Sequence, residues 1–326
     1  MQNSGVITTP DYNGADDGPT AIHLTVPMLD HGLRLDQGLA RWLPQFSRNR
    51  LKAWIEGGLV SVDARPATPK LRLRGGETIE VRPESEPQAS AYAPQAMDLA
   101  IIHQDQAILV LDKPAGLVVH PAAGNWDGTL QNALLHYAPA LAGVPRAGIV
   151  HRLDKDTSGL MVVALTMEAQ TALVRQMQAR TVRREYLALL AGRLPQGAIV
   201  DAAVGRHPTL RTRMAVLAPS SAGAKPAVTH VRVLRHLLRA DVAATLAECR
   251  LETGRTHQIR VHMQHLGHPV VGDQTYGRLP HKEWMARQAL HALRLGLVHP
   301  FSGESLQWEA PVPADMQALI DSMQDE

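Results

Sequence analysis

The sequence is poor in cysteine and in aromatic residues, and it has no long apolar run. One cysteine, Cys249, in 326 residues excludes an intrachain disulfide and a thiolate metal cluster, and it fits a reducing compartment. Aromatic residues make up only 4%, so the core is expected to be mostly aliphatic. No apolar stretch approaches the roughly 18 residues of a membrane span, and the first twenty residues lack the apolar core of a secretory signal. These absences predict a soluble, cytoplasmic protein.

Positive charge is spread unevenly along the chain. The 33 Lys and Arg against 31 Asp and Glu give a formal net charge of only +2. Between residues 34 and 82, however, ten Lys or Arg stand against five Asp or Glu. The cations of this segment cluster in two groups, which are Arg48, Arg50 and Lys52, and Lys70, Arg72 and Arg74. Such clusters can contact nucleic-acid phosphates without reading bases, and a solvated basic face is the alternative.

Composition and periodicity divide the chain into two domains. Residues 1–20 are polar and without periodicity, which predicts a flexible tail. Residues 21–82 predict a small α/β domain of two helices followed by strands, and the proline-containing residues 83–97 predict an extended linker. In residues 98–326 short strands outnumber helices. We therefore expect an α+β domain built around a mixed, largely antiparallel sheet.

Several elements of the larger domain can be placed from their patterns. Apolar spacing predicts helices at Thr129–Tyr137 and Glu168–Arg180, and alternation predicts a strand at Arg183–Leu189. Residues Val228–Leu234 and Ala243–Leu251 are expected to pair as strands.

The stretch from Gly148 to Ala164 is the most informative part of the sequence. Residues 151–159 form a dense polar loop, and Leu160 to Ala164 is an apolar run rich in β-branched residues, typical of a buried strand. A buried strand beside a charged loop can fix a reactive group on a rigid frame. Asp154 and Asp156 stand among Arg152 and Lys155, and such neighbours favour an ionised carboxylate. A plain strand–turn–strand is the alternative.

This loop, His151-Arg-Leu-Asp-Lys-Asp-Thr-Ser-Gly159, resembles the catalytic motif of the RluA family of RNA pseudouridine synthases. Further stretches of the chain resemble the same family. They are Lys113 to Pro121, Arg183-Arg-Glu-Tyr186, Gly254-Arg-Thr-His-Gln-Ile-Arg-Val-His262, and Ala289 to Leu295 with His299-Pro300. In the small domain, the pattern around Leu35 to Leu39 and Ser47 to Asp63 resembles the S4 RNA-binding domain. Taken together, these stretches extend the likeness over about residues 22–312, nearly the whole chain.

The resemblance implies roles for individual residues. Asp154 would be the nucleophile or would stabilise a cationic sugar, and Arg260 would pair with it through a bidentate guanidinium, with Arg255 as the alternative partner. Tyr186 would stack on the target base and handle a proton. A surface arginine on a strand and a core tyrosine are the structural alternatives for Arg260 and Tyr186.

RNA contacts are expected both at this site and on the S4-like domain. Arg152 would fill the gap left by a flipped uridine, and a phosphate clamp is an equal alternative. Arg255 and His257 are further expected contacts at the site. On the S4-like domain we expect contacts from Arg48, Arg50, Lys52 and Arg72.

Within the family the sequence is most similar to the RluD-like branch, by its S4-like domain, by Gly205-Arg-His-Pro208 and by Ala224 to His230. That likeness implies helix 69 of large-subunit (23S) ribosomal RNA, alone or in an assembling subunit, as the substrate. Pseudouridine formation conserves all atoms, so it needs no redox carrier, ATP or metal, and we expect no cofactor.

Two other functions are weighed against this one. A pure RNA-binding or ribosome-assembly protein would not need the three residues Asp154, Tyr186 and Arg260 together. A metal-dependent hydrolase would use His257, His262, His265 and His268. Their spacing is not the His-x-x-x-His of a helical zinc site, and Arg260 between two of them would repel a cation.

Overall fold

A computed structural model describes residues 21–44, 46, 48–82, 93–122, 125–210 and 212–326. The side chains of Asn49 and Arg50 lie outside this description. The predicted tail at residues 1–20 and most of the predicted linker also fall outside it. The chain divides into two compact units, Met1–Ser90 and Ala91–Glu326.

The smaller unit packs two helices against a short sheet. Its elements are β1 Ile22–Thr25, α1 Leu35–Trp42, α2 Arg48–Glu56, β2 Val60–Val62, β3 Arg65–Pro66 and β4 Thr78–Val81. The strands pair antiparallel in the order β1-β4-β2-β3. Leu35 and Leu39 of α1 and Leu51 of α2 are fully buried, and they belong to one core with Ile79 and Val81 of β4. The basic residues of this unit whose side chains the structure describes lie outside this core.

The larger unit is built on one broad sheet. The strands of the larger unit are β5 Ala100–Gln104, β6 Ile108–Lys113, β7 Ser158–Ala164, β8 Arg183–Ala191, β9 Ala198–Asp201, β10 Val204–Arg206, β11 Met214–Val216, β12 Val228–Arg239, β13 Val242–Leu251, β14 Leu290–Val298, β15 Ser305–Glu309 and β16 Gln324–Asp325. Of these, β10 and β11 pair with each other in a separate antiparallel sheet, and the others form the broad sheet. The order is β16-β12-β13-β8-β14-β7-β6-β5, with β9 beside β12 and β15 beside β14. Of the pairings described in this sheet, β7 with β14 is parallel and the others are antiparallel. The predicted mixed, largely antiparallel α+β fold is confirmed.

Helices cover both faces of this sheet. They are α3 Leu130–Tyr137, α4 Met167–Gln178, α5 Gln258–His265 and α6 Ala314–Asp321. All seven residues of β7 are buried, because Met161 and Val163 face one core while Leu160 and Val162 face another that includes Leu173 of α4. Burial on both faces explains why this strand is a continuous apolar run rather than an alternating one.

One part of the larger unit differs from the sequence-based expectation. Residues 93–97, assigned to the linker, are held against α3, since Gln95 N donates to Asn132 O (3.0 Å) and Asn132 Nδ2 donates to Ala93 O (2.9 Å). In the described residues, no helix is both long and apolar enough to cross a membrane.

Candidate active site

The Asp154 loop lies between Ile149 and β7, and its backbone is fixed at several points. Thr157 N donates to Asp154 O at 3.1 Å, which closes a turn around the carboxylate. At the start of β7, Gly159 has a φ of +116° and lies so close to β14 that a Cβ would stand 2.4 Å from Ala292 O. Only glycine fits this conformation and this approach. The end of the Asp154 loop is therefore fixed to the sheet where Gly159 contacts β14.

Lys113 ties the same loop to the end of β6. Its ammonium is fully buried and donates to three carbonyl oxygens, those of Pro114 (2.7 Å), Leu117 (2.9 Å) and Lys155 (2.9 Å). Burial lowers the pKa of Lys113 to about 8, although the nearby carboxylates of Asp156 and Asp154 oppose this change. All three donors of the ammonium are satisfied, so its role here is to position backbone.

Arg260 reaches Asp154 from α5. Its Nη1 donates to Asp154 Oδ2 at 3.0 Å, and the guanidinium is almost fully buried. The predicted alternative of a surface arginine on a strand is wrong, because Arg260 lies in a helix. That helix escaped prediction because its N-cap, His257, is in the left-handed conformation (φ 56°) and gives no side-chain cap.

The bidentate partner of Arg260 is Asp273, not Asp154 as predicted. Arg260 Nε donates to Asp273 Oδ2 (2.7 Å) and Nη2 donates to Oδ1 (2.9 Å). Asp273 is fully buried. Burial would raise the pKa of Asp273, but the hydrogen bonds and charge of Arg260 hold that pKa below its ordinary value. Burial likewise disfavours the charged guanidinium, yet the two carboxylates raise the pKa of Arg260 above its ordinary value.

His257 and Tyr276 complete the polar surroundings of Asp154. His257 Nε2 lies 3.9 Å from Asp154 Oδ1, and His257 Nδ1 hydrogen bonds with Tyr276 Oη at 2.8 Å. The Tyr276 ring carries the Arg260 guanidinium on its face, with Cζ 5.1 Å from the ring centroid. Burial lowers the pKa of His257, while the charge of Asp154 opposes that shift. A neutral imidazole thus stands beside the carboxylate.

Tyr186 lies in the middle of β8, between β13 and β14, and is 6% exposed. Burial raises the pKa of Tyr186 to about 12, and the charge of Arg184 acts against this rise. The hydroxyl is therefore protonated at neutral pH. The tyrosine belongs to the buried core of the larger unit and also lines the pocket that holds the aspartate, so both predicted positions describe it.

Asp154, Tyr186 and Arg260 all line one pocket of about 850 Å³. Cations dominate its wall. The cations that line it are Arg146, Arg152, Arg180, Arg184, Arg255 and Arg260, whereas the carboxylates are Asp154 and Glu252. The pocket is also lined by His120, His151 and His257, whose pKa values burial lowers. A pocket with this excess of positive charge suits an anionic polymer.

The remaining predicted contacts are placed as follows. Arg152 is exposed at the pocket and, within the described residues, forms no hydrogen bond or ion pair. Arg255 does not pair with Asp154, because its Nε donates to Pro226 O at 3.1 Å. In the smaller unit Arg48 is exposed, Lys52 forms an exposed ion pair with Glu56 (3.6 Å), and Arg72 Nη1 donates to Gly32 O (2.9 Å).

The histidines considered as metal ligands make other contacts. His262 bonds through Nδ1 to Thr229 Oγ1 and through Nε2 to Ala202 O, both at 2.9 Å. His268 Nδ1 bonds to Ala191 O, also at 2.9 Å. In the part of the chain that the structure describes, no group of three or more His, Cys, Asp or Glu is arranged to hold a metal ion.

Comparison with known proteins defines the class. A family model described as RNA pseudouridylate synthase matches residues 107–265, and one described as S4 domain matches residues 33–79. Curated relatives are similar over nearly the whole chain. The chain therefore belongs to the RNA pseudouridine synthase family, whose members are isomerases. It carries an S4 domain ahead of the catalytic domain.

Three curated relatives share the name ribosomal large subunit pseudouridine synthase D. The protein of Nitrosomonas europaea is 53% identical over 95% of this chain and 90% of its own length. That of Neisseria meningitidis serogroup A is 48% identical over 98% and 88%, and that of Escherichia coli K12 is 49% identical over 90% and 91%.

The fold agrees with a solved structure of the family. Human RNA pseudouridylate synthase domain containing 1 aligns with a TM-score of 0.57 and 31% identity, over 70% of this chain and 89% of that protein.

Proposed function

We propose that this protein converts specific uridines of large-subunit (23S) ribosomal RNA, in helix 69, to pseudouridine at the pocket around Asp154. The observation that carries the proposal is the ion pair of Arg260 Nη1 with Asp154 Oδ2 (3.0 Å) on the same pocket wall as Tyr186. The shared name and the similarity over most of the chain favour ribosomal RNA as the substrate and hence a cytoplasmic location.

Asp154 is the group that acts on the sugar. Its carboxylate is partly exposed to the pocket, with a side-chain exposure of 15%, so a ribose can reach it. It either attacks C1′ to form a covalent bond or stabilises the positive charge that develops there as the glycosidic bond breaks. The reaction rearranges the nucleoside without gain or loss of atoms, so it uses no cofactor.

Arg260 and Tyr186 position and serve this carboxylate. Because Asp273 takes two of its donors, Arg260 presents Nη1 to Asp154 in a fixed direction. Tyr186 offers an aromatic face for the uracil ring and a hydroxyl that is protonated at neutral pH. His257 lies close enough to Asp154 to contact the bound RNA at the same point.

Entry of the uridine requires that it leave its stem. Chemistry on a base within folded RNA needs extrusion of the nucleotide. Arg152, exposed and unpaired within the described residues, fills the space that the base leaves, and Arg255 contacts the phosphates. In the S4 unit Arg48, Arg50, Lys52 and Arg72 supply further phosphate contacts, which position RNA without reading sequence.

Replacing Asp154 with asparagine tests the proposal. Asparagine keeps the size and can still accept from Arg260, but it is neither a nucleophile nor an anion. We expect no pseudouridine from Asp154→Asn, with RNA affinity close to that of the natural protein. Asp156→Asn, in the same loop, is the matched control and should retain turnover. Product above background in the Asp154 variant contradicts the proposal.

Mapping pseudouridines in ribosomal RNA from cells with and without this gene tests the substrate. The proposal expects loss of pseudouridine in helix 69 and retention elsewhere. Loss at a different RNA, with helix 69 unchanged, rejects the substrate while leaving the reaction in place.

A further inference from the structure

Arg184 is a buried arginine in the pocket, and no carboxylate among the described residues forms an ion pair with it. It is 7% exposed, and its Nη2 donates to the backbone oxygen of Glu252 at a long 3.2 Å. Its Nε is enclosed and has no hydrogen-bond partner among the described residues. An unpaired buried charge is costly, and such charges are normally matched by an opposite one. The missing partner is therefore expected to arrive with the substrate.

The other cations of the pocket differ from Arg184. Arg260 is neutralised by Asp154 and Asp273, and Arg180 pairs with the Glu252 carboxylate at 3.1 Å. Arg146, Arg152 and Arg255 are exposed. Exposed arginines suit the phosphates of a polymer that stays at the pocket mouth. Arg184 combines depth with an uncompensated charge, which suits a group that is buried with the base.

The chain makes room for this guanidinium at Gly254. A Cβ built there would lie 2.8 Å from Arg184 Nη1. The backbone of Gly254 is not in the left-handed region, so a side chain at this position would act through its contact with the Arg184 guanidinium, which would have to shift. The Arg184 side chain thus extends from β8 and lies against the turn that follows β13.

Arg184 also lies beside the surface expected to hold the base. Arg184 and Tyr186 are two residues apart on β8, so their side chains point to the same face of the sheet. Their Cα atoms are about 6.6 Å apart along the strand, and both residues line the pocket. A uracil ring placed against Tyr186 would have an edge within reach of the long arginine side chain.

We infer that Arg184 is a catalytic residue that binds a carbonyl oxygen of uracil and stabilises the anion formed when the base leaves. The inference rests on the proposed function. When the C1′–N1 bond breaks, the bonding pair stays with the ring, and the negative charge is shared by N1, O2 and O4. The ring turns, C5 bonds to C1′, the C5 proton is lost and N1 takes up a proton. A fixed, desolvated guanidinium is suited to charge that exists only during this reaction.

Single-turnover kinetics on saturating RNA test this role. We expect Arg184→Gln to lower the rate about 100-fold, the usual effect of losing one donor to a developing anion, with RNA affinity within about twofold. Arg184→Lys keeps a positive charge and should retain an intermediate rate. Arg250→Gln is the matched control, because Arg250 is exposed and outside the pocket, and it should react at the natural rate. If Arg184→Gln does not fold, the lysine variant decides.

A substrate with a better leaving group gives a readout that a merely structural role would not change. Fluorine at C5 stabilises the uracil anion, so the Arg184→Gln deficit should be smaller on RNA with 5-fluorouridine at the target. Nuclease digestion and mass spectrometry of the RNA measure the loss of the N-glycoside.

Three results overturn the inference. The first is an unchanged saturating rate in both Arg184 variants. The second is a weaker affinity with a salt slope reduced by about 0.7–0.9, which identifies a phosphate contact instead. The third is an equal deficit on both substrates. If the natural protein itself forms no pseudouridine, the proposed function fails, and that result is distinct from these three.

Discussion

Replacing Asp273 with asparagine tests how Arg260 is held. Asp273 Oδ1 accepts from Arg260 Nη2, Thr275 N and Tyr276 N, whereas Oδ2 accepts, among the residues that the structure describes, only from Arg260 Nε, at 2.7 Å. An asparagine would keep its oxygen toward the three donors and turn its amide toward Nε. Two donors would then face each other in a fully buried site. Arg260 would lose one hydrogen bond and half of its fixed negative partners.

The expected cost follows from burial. Breaking a buried ion pair by removing one partner costs about 3–5 kcal/mol. For a unit of this size, each kcal/mol lowers the melting temperature by roughly 2–4 °C, so we expect a fall of roughly 6–20 °C. Turnover should fall as well, because Nη1 of Arg260 is no longer held toward Asp154.

Asp315→Asn is the matched control. Asp315 also accepts from an arginine with both oxygens, since Arg287 Nε and Nη2 each donate to it at 2.7 Å. The Asp315 side chain, however, is 52% exposed. An exposed pair contributes about 0–1 kcal/mol. Thermal and urea unfolding of the two variants, with RNA turnover on each, make the comparison. Equal losses below about 1 kcal/mol in both variants would refute the reasoning that Asp273 holds Arg260.

Three further outcomes follow from the described contacts. His151 Nε2 accepts from Val162 N at 3.0 Å, and burial, together with the charge of Arg184, lowers the pKa of His151 from 6.5 to about 3. Between these pH values the unfolded chain binds more protons than the folded chain, so the free energy of unfolding falls as pH falls from 6.5 towards 3, by about 2 kcal/mol between pH 7.5 and 5. Urea unfolding of His151→Gln should lack this loss, and the same pH dependence in the variant and the natural protein would contradict the prediction. Gly159→Ala should cost about 3 kcal/mol or more in urea unfolding, from its positive φ and the contact with β14, whereas Gly143→Ala, with open space around it, should cost less than about 0.5 kcal/mol. Neutralising the cations of α2 should weaken RNA binding and reduce its salt slope by about 0.7–0.9 per lost contact, and an unchanged slope would remove α2 from the RNA surface. The residues to be changed on α2 are Arg48, Arg50 and Lys52.

The sequence predicted the frame of the site better than its supports. The buried strand β7 was evident because burial on both faces produces an unbroken apolar run. The contact between Asp154 and Arg260 came from motif resemblance, since 106 residues separate the pair and no local pattern links them. The helix that carries Arg260 lacks a capping residue, so its start gave no signal.

Asp273 was missed for a physical reason. Its partner lies 13 residues away on a helix that was not predicted, and its own segment reads as a turn. One signal was available in the sequence. Asp273 directly follows the apolar Val270-Val271 and Gly272, so its carboxylate is expected to be buried and to need a cation as partner. Lys113 is comparable, because its three acceptors are backbone oxygens, which leave no trace in side-chain patterns.

A structure of the protein bound to its RNA target tests the central claim most directly. The account predicts the target uridine extruded into the pocket, its ring against Tyr186 and its C1′ about 3–3.5 Å from an Asp154 carboxylate oxygen, the separation of a reactive pair. A target uridine still stacked in its helix, with Asp154 facing another part of the RNA, would contradict it.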